Sequence, residues 1–271
     1  MTADDTARHD EPDEIDASKA HIARVQDYWL GGTDHFEVDR IAGEEAIAAL
    51  PGMVASVRNT RAFLGRAVGY LTAGRNVAQF LDIGTGIPTA NNTHEVAQAA
   101  RPQARVVYAD NDPMVLRQAR ALLASDPHGM TSYADADLRD TNRILEAAEG
   151  LLDFGQPVAV VLMAVLQFIP DADDPYGTVA ALMDAVPSGS YLVISHPASD
   201  IQAAAMAGMA TRLNALMAQQ VRPRSHAEVS RFFDGLELLE PGVVRNPEWR
   251  PRRPEDASSV STMWGGVARK A

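Results

Sequence analysis

The sequence predicts an α/β fold in which a mostly parallel sheet is covered by helices on both faces. Short apolar runs alternate with helical segments five times between residues 77 and 200, and no internal repeat or low-complexity linker divides them. Parallel strands joined by helices require right-handed crossovers, which place helices against the sheet. Two closing strands joined by a loop predict an antiparallel hairpin at the sheet edge.

The individual elements follow from apolar runs and the turn residues that bound them. The first strand is predicted at 77–81, and the fourth lies in the run 157–167, which is apolar almost throughout, as is typical of a strand buried on both faces. The other predicted strands are 106–109, a segment from Thr131 that ends near Asp137, 191–195, 236–239 and 261–268. Helices are predicted at 19–30, 38–50 and 54–72, and an Ala/Met-rich helical segment at 201–233.

The chain is predicted to have three parts. Residues 1–16 carry seven acidic side chains and almost no apolar ones, which predicts a disordered acidic tail. Residues 17–76 are predicted to form a helical segment ahead of the sheet, and residues 77–271 the sheet domain itself.

The most informative motif is the segment Phe-Leu-Asp-Ile-Gly-Thr-Gly-Ile-Pro at 80–88. A buried strand that turns through Gly84 and Gly86 into a helix lets a nucleotide-like ligand approach the backbone closely. Dehydrogenase fingerprints carry an apolar residue in place of Asp82 and a third glycine in place of Thr89. An acid at position 82 suits a ligand with a cationic amine, such as the methionyl part of S-adenosylmethionine (SAM).

Two further acids are predicted at the ends of neighbouring strands. Asp110 lies 24 residues after Gly86, at the tip of the second strand, where a carboxylate accepts hydrogen bonds from ribose hydroxyls. Asp112 and Pro113 then predict the start of a helix. Asp137 and Leu138, at the end of the third strand, are the predicted adenine contacts.

These motifs resemble the class I SAM-dependent methyltransferases, and more closely the actinobacterial S-adenosyl methyltransferase family long described as a domain of unknown function. The segments that carry the resemblance are 23–36, 79–89, 92–98, 134–140 and 164–171, in a likeness that runs from about residue 20 to the C-terminus. The resemblance implies a Rossmann-like, seven-stranded sheet, SAM as cofactor, and cofactor contacts that include Thr85, Asn111 and Ala164. The chain departs from the family pattern at Trp29, His35 and Gln167, where the last replaces a common histidine.

The segment before the sheet is interpreted as a lid over the cofactor. Tyr28, Gly31 and Gly32 are predicted to touch SAM, and His35 with its neighbour Phe36 to face the substrate. The alternative is that the paired glycines only end a helix. Arg61 is predicted to reach the SAM carboxylate, with a plain surface arginine as the alternative.

Composition excludes several chemistries. The chain has no cysteine, so it has no disulfide, no thiolate metal site and no cysteine nucleophile, and no metal site is predicted. A net charge of −12 argues against nucleic acid as the partner, and the lack of a signal peptide or a long apolar run predicts a cytoplasmic protein without membrane contact. Arg245, Arg250, Arg252 and Arg253 form either a solvated loop or an anion-binding lip.

The predicted reaction is methyl transfer from SAM to an oxygen or nitrogen of a small molecule. A general base is needed only for a hydroxyl or a protonated amine, and the weak candidates for it are His196, His94 and His35. No catalytic residue is assigned. Two alternatives stay open, a SAM-binding regulatory protein without turnover and, more remotely, an NAD-dependent oxidoreductase.

Overall fold

The computed structural model describes residues 15–118 and 130–271. Eight strands of these residues form one sheet in the order β3-β2-β1-β4-β5-β8-β6, and β7 pairs with β8 beside this path. The strands are β1 Gln79–Ile83, β2 Arg105–Asp110, β3 Thr131–Asp135, β4 Ala159–Met163, β5 Tyr191–Pro197, β6 Glu237–Leu238, β7 Val244–Arg245 and β8 Met263–Arg269.

Nine α-helices are present in the described residues: three precede the sheet, four lie between consecutive strands from β1 to β5, and two lie between β5 and β6. They are α1 Ile22–Leu30, α2 Glu37–Ala49, α3 Met53–Arg75, α4 Thr93–Ala100, α5 from residue 113 through at least 118, α6 Thr141–Glu149, α7 Pro175–Ala185, α8 Ala203–Leu216 and α9 His226–Ser230. The start of α5 is as predicted, since Asp112 caps it by accepting from the Met114 amide at 2.7 Å.

The sheet is parallel from β3 to β5 and antiparallel from β5 onward, which confirms the predicted mixed α/β fold. Alternate residues of each strand serve opposite faces. In β4, Val160 and Leu162 belong to the core on one side, whereas Ala159 and Val161 belong to the core on the other. This double burial explains why the β4 run is apolar without alternation.

Three predicted details differ from the structure. The sheet has eight strands instead of seven, because two-residue β7 also pairs with β8. The first strand begins two residues later than predicted, so that Asp82 lies inside β1 and is buried. The third strand ends at Asp135, which leaves Asp137 in the loop beyond it.

The helices before the sheet pack on α8 and form a separate apolar cluster with it, which includes Val25, Trp29 and Met209. A buried ion pair joins α1 to α2, because Nε of Arg24 donates to Asp39 at 3.0 Å. Most of the predicted acidic tail, residues 1–14, lies outside the described residues. None of the helices within 15–118 and 130–271 has both the length and the apolar content of a membrane span.

Candidate functional site

Two cavities lie at the carboxyl ends of the parallel strands, where α/β sheets bind their ligands. The first has a volume of about 120 Å³ and is lined by residues at or after the ends of β1, β2, β3 and β4, together with the start of α1. The predicted residues among its lining are Gly84, Gly86, Asp110, Asn111, Asp137, Leu138 and Ala164.

The glycine loop after β1 owes its shape to two left-handed residues. Gly84 has φ +69°, and a Cβ atom there would lie 2.3 Å from Cγ2 of Val165. Gly86 has φ +66°, and an added Cβ would meet nothing closer than 3.9 Å, so this glycine leaves open space over the loop. Both positions require glycine for their backbone conformation, and Gly84 requires it for close packing as well.

Asp110 fixes this loop from the end of β2. Its Oδ2 accepts from the amide of Gly86 at 2.9 Å, and its Oδ1 accepts from the amide of Asp112 at 3.0 Å. Burial raises the pKa of Asp110, and the two amide hydrogen bonds oppose that shift. The carboxylate is thus held rigidly at the cavity wall.

The start of α1 closes the first cavity from above. Nδ1 of His21 contacts Oδ2 of Asp112. Although burial acts to raise the pKa of Asp112, the hydrogen bond with His21 lowers it below its ordinary value. This contact ties the helical segment before the sheet to the β2 end of the cavity.

The opposite wall is formed by the loop after β3. Asp137 accepts from Nε and Nη2 of Arg139 at 2.9 and 2.7 Å and from Nδ2 of Asn111 at 3.1 Å. The hydrogen bonds from Arg139 lower the pKa of Asp137, so it is a carboxylate at neutral pH. Leu138 and Ile169 add apolar surface to the same cavity.

The second cavity has a volume of about 60 Å³ and is mostly apolar. It lies between α1, α3, α8 and the ends of β4, β5 and β8, and its apolar lining includes Trp29, Met53, Met209, Leu213 and Met263. Five residues line both cavities and mark where they meet: Ile22, Gln26, Gly84, Ala164 and Phe168.

The turn after β4 lies at this junction. Ala164 has φ +53°, an unfavourable conformation for a residue with a Cβ atom and one that often marks functional sites. Nε2 of Gln167 donates to the Ala164 carbonyl at 2.6 Å, which identifies the remaining amide atom as Oε1. That oxygen is buried and has no hydrogen-bond partner, and Gln167 lines the second cavity with only 4% of its surface exposed.

Comparisons with known proteins decide the family. A profile describing S-adenosyl methyltransferases matches residues 8–271. This chain belongs to that family. It is therefore a SAM-dependent methyltransferase, and SAM is its cofactor.

Solved structures agree with this assignment. A DUF574 family protein from Streptomyces avermitilis MA-4680 is 41% identical, with a TM-score of 0.90 over 95% of this chain and 100% of that one. A protein from Thermobifida fusca YX assigned as a methyltransferase is 40% identical, with a TM-score of 0.87 over 94% and 96%. The magnesium protoporphyrin IX methyltransferase of Synechocystis PCC 6803 shares the fold alone, at 13% identity and a TM-score of 0.53 over 91% and 93%. A search of the curated proteins finds no sequence match.

Two predicted cofactor residues of the methyltransferase lie near each other behind the glycine loop. Asp82 lines neither cavity, and its Oδ2 accepts from Oγ1 of Thr93 at 2.6 Å. Burial raises the pKa of Asp82 to about 6, while the hydrogen bond from Thr93 and the charge of Arg61 oppose the shift. Arg61 and Thr85 line the second cavity, and burial lowers the pKa of Arg61, whose Nε has no partner. Direct contact of Asp82 with the cofactor stays a prediction.

The predicted lid contacts lie outside the lining of both cavities. Gly31 ends α1 with φ +85°, and the hydroxyl of Tyr28 donates to Glu44 at 3.2 Å. A Cβ atom at Gly32 would lie 1.9 Å from Oδ1 of Asp27, so this glycine is required for packing within the segment itself. Nδ1 of His35 contacts the other oxygen of Asp27 at 3.0 Å. Cofactor contact by these residues stays a prediction.

The other two histidine candidates also lie outside the lining. His196 is fully buried, and because an arginine can only donate, its Nε2 accepts from Arg224 at 3.0 Å and its Nδ1 donates to the Pro197 carbonyl. Burial lowers the pKa of His196 to about 3. Nδ1 and the amide of His94 both contact the hydroxyl of Tyr108, at 2.7 and 2.8 Å.

Sequence reasoning missed part of the site. His21, Gln26 and Phe168 were not predicted as site residues, although all three lie in or beside segments that resemble the family. Met209, from the Ala/Met-rich helical segment, lines the second cavity, whereas Met206 belongs to the apolar cluster of α1, α2, α3 and α8 and lines neither cavity. In the predicted arginine loop, Arg245 pairs with Glu248 and Arg253 pairs with Asp256. The guanidinium of Arg250 lies over the rings of Tyr70 and Trp249. Arg252 lines a separate surface groove.

Proposed function

We propose that this methyltransferase transfers the methyl group of SAM to an oxygen or nitrogen of a small molecule held in the second cavity. One observation carries the proposal. The polar cavity, which has carboxylates at strand ends, meets the apolar cavity at Gly84 and Ala164. The reacting atoms of two bound molecules have to meet at such a junction.

The first cavity has the donors and acceptors that SAM requires. Asp110 would accept from the ribose hydroxyls, and Leu138 and Ile169 would contact the adenine ring beside Asp137. Gly86, whose missing Cβ leaves room above the loop, would let the cofactor approach the backbone. Bound SAM supplies a methyl group already activated by its sulfonium, so the protein's task is to align the acceptor and exclude water.

The second cavity supports alignment in place of general base catalysis. Among the described residues that line it there is no histidine, aspartate or glutamate, and its polar side chains are Gln26, Thr60, Arg61, Thr85 and Gln167. An acceptor bound there would attack through a lone pair that it already possesses, and its proton would leave to water. A phenol or a neutral amine meets this requirement.

The cofactor half of the proposal is tested by calorimetric titration with S-adenosylhomocysteine (SAH), SAM and NAD. We expect micromolar binding of both adenosyl ligands, no binding of NAD, and at least tenfold weaker SAH binding in Asp110→Asn. Asp135→Asn is the matched control, because Asp135 pairs with Asp110 across the strands but is exposed and lines neither cavity. Equal loss in both variants, or tight NAD binding, would contradict the proposal.

The acceptor half is tested with methyl-labelled SAM and a bacterial extract separated by size. We expect label to enter the small-molecule fraction and to be extractable into organic solvent, since the lining is apolar. Label found only in protein or nucleic acid would overturn the small-molecule assignment. SAH binding without labelled product in any fraction would favour the SAM-binding regulatory alternative.

A further inference from the structure

Gln167, which lines the second cavity, carries a buried hydrogen-bond acceptor that has no partner. Oε1 of Gln167 is buried without a partner, although buried polar atoms are almost always hydrogen-bonded. The amide cannot turn to relieve this, because its Nε2 already donates to the Ala164 carbonyl at 2.6 Å. An oxygen left in this state on a residue that lines a ligand cavity is suited to accept from the ligand.

The backbone around this oxygen is held from outside the cavity. The amide of Arg222 donates to the Gln167 carbonyl at 2.9 Å, and Nη1 of the buried Arg224 donates to the Leu166 carbonyl at 2.9 Å. Gln167 therefore cannot easily move toward another partner, and its oxygen is preorganised beside Ala164, one of the residues shared with the cofactor cavity.

The surrounding side chains restrict what can donate to this oxygen. Apart from Arg61, the described lining residues are uncharged, and most are aliphatic, aromatic or methionine side chains. Without a carboxylate nearby, a cationic group would be desolvated there without compensation. The donor must then be a neutral hydroxyl or N–H on an apolar body.

We propose that the second cavity binds an uncharged, apolar ring compound and that Gln167 is its positioning residue, its Oε1 accepting a hydrogen bond from the acceptor's hydroxyl or N–H. This inference rests on the proposed function. With the proton turned toward Gln167, a lone pair of the same atom is free to face the methyl group. That lone pair forms the new bond to carbon, the carbon–sulfur electron pair stays on sulfur, and the proton passes to water because an amide oxygen does not retain it.

A consequence is that substrate and product differ in binding. The methylated product of a phenol has no donor left for Gln167, so it loses the hydrogen bond that held the substrate. A neutral hydrogen bond that satisfies a buried oxygen changes affinity by about five- to tenfold. Gln167 would thereby favour product release as well as substrate orientation.

The test uses three probes on the full chain saturated with SAH: 2-naphthol, naphthalene and 2-methoxynaphthalene. Equilibrium dialysis should show 2-naphthol binding about five- to tenfold more tightly than either of the other two. In Gln167→Leu and in the less branched Gln167→Met, we expect this preference to fall below about twofold while naphthalene binding is retained. Two variants are used so that a folding defect in one does not decide the result.

The control is Gln103→Leu, in the turn at the amino end of β2, away from the carboxyl ends where the cavities lie, and its side chain is exposed. Its preference for 2-naphthol should equal that of the wild type. Equal affinities for all three probes in the wild type, a preference that persists in both Gln167 variants, or no binding of any probe would overturn the inference. Calorimetry with SAH separates the two proposals, since failure of SAH to bind would refute the proposed function itself.

Discussion

Burial of the Asp82 carboxyl should make the stability of the protein depend on pH in a direction opposite to that of most carboxylates. Burial raises the pKa of Asp82 from its ordinary 3.8 to about 6 in the folded state. The folded protein then binds more protons than the unfolded chain between these values, so stability falls as pH rises through this window. The difference of about 2 pKa units, at about 1.4 kcal/mol each, gives a cost of about 3 kcal/mol at pH 7.

Asp82→Asn removes this titration but keeps an oxygen that can accept from Oγ1 of Thr93. We expect the free energy of unfolding of the variant, relative to the wild type, to rise by about 2 kcal/mol between pH 4.5 and pH 7. Urea unfolding at half-unit pH steps measures this difference. Asp135→Asn, which changes an exposed carboxylate, should give a constant difference. Parallel stability curves for the wild type and Asp82→Asn would refute the reasoning.

Three further predictions concern the loop, the turn after β4 and the lid. Gly84→Ala should weaken SAH binding more than tenfold by calorimetry, because the added Cβ would overlap Val165 and the residue has φ +69°. Gly65→Ala on α3, where an added Cβ has no neighbour within 4 Å, should bind SAH normally. Arg224→Met should lower the free energy of unfolding by roughly 2–4 kcal/mol in urea, since carbonyls of the turn after β4 lose their donor, and a change below about 1 kcal/mol would contradict this. SAH at 100 times its Kd should slow amide hydrogen exchange in α1 by up to about 100-fold. Exchange in α6, which lines neither cavity, should not change. Equal exchange rates in α1 with and without SAH would show that α1 is not a lid.

The sheet could be predicted because its signals are local. A strand buried on both faces is a continuous apolar run, and the residue that follows it is a turn residue or an acid. The order of the strands along the chain and their parallel direction therefore follow from the sequence alone. The strand bounds were less predictable. Asp82 looked like a residue beyond β1 because a charged side chain rarely lies inside a central strand, and only its burial under Thr93 and beside Arg61 explains its place there.

The first cavity was predictable for the same reason, since Gly84, Gly86, Asp110 and Asp137 each lie at the end of a strand or within three residues after it. The second cavity was not, because its lining comes from segments more than 200 residues apart, from Ile22 to Met263. Their methionines and leucines have the same spacing as ordinary core residues. The sequence also gives no sign that the side-chain amide of Gln167 would use its Nε2 in a hydrogen bond and leave its Oε1 without a partner.

The shared wall of the two cavities implies an order of events. Gln26 and Phe168 face both cavities, and Gly84 and Ala164 form the floor between them. A cofactor in the first cavity therefore becomes part of the surface that an acceptor meets in the second. The same helix that carries Gln26 is fastened to the cofactor cavity by the contact of His21 with Asp112. If the first cavity holds the cofactor and the second the acceptor, as proposed, α1 contributes to both sites, and a cofactor bound first would complete the wall that the acceptor meets.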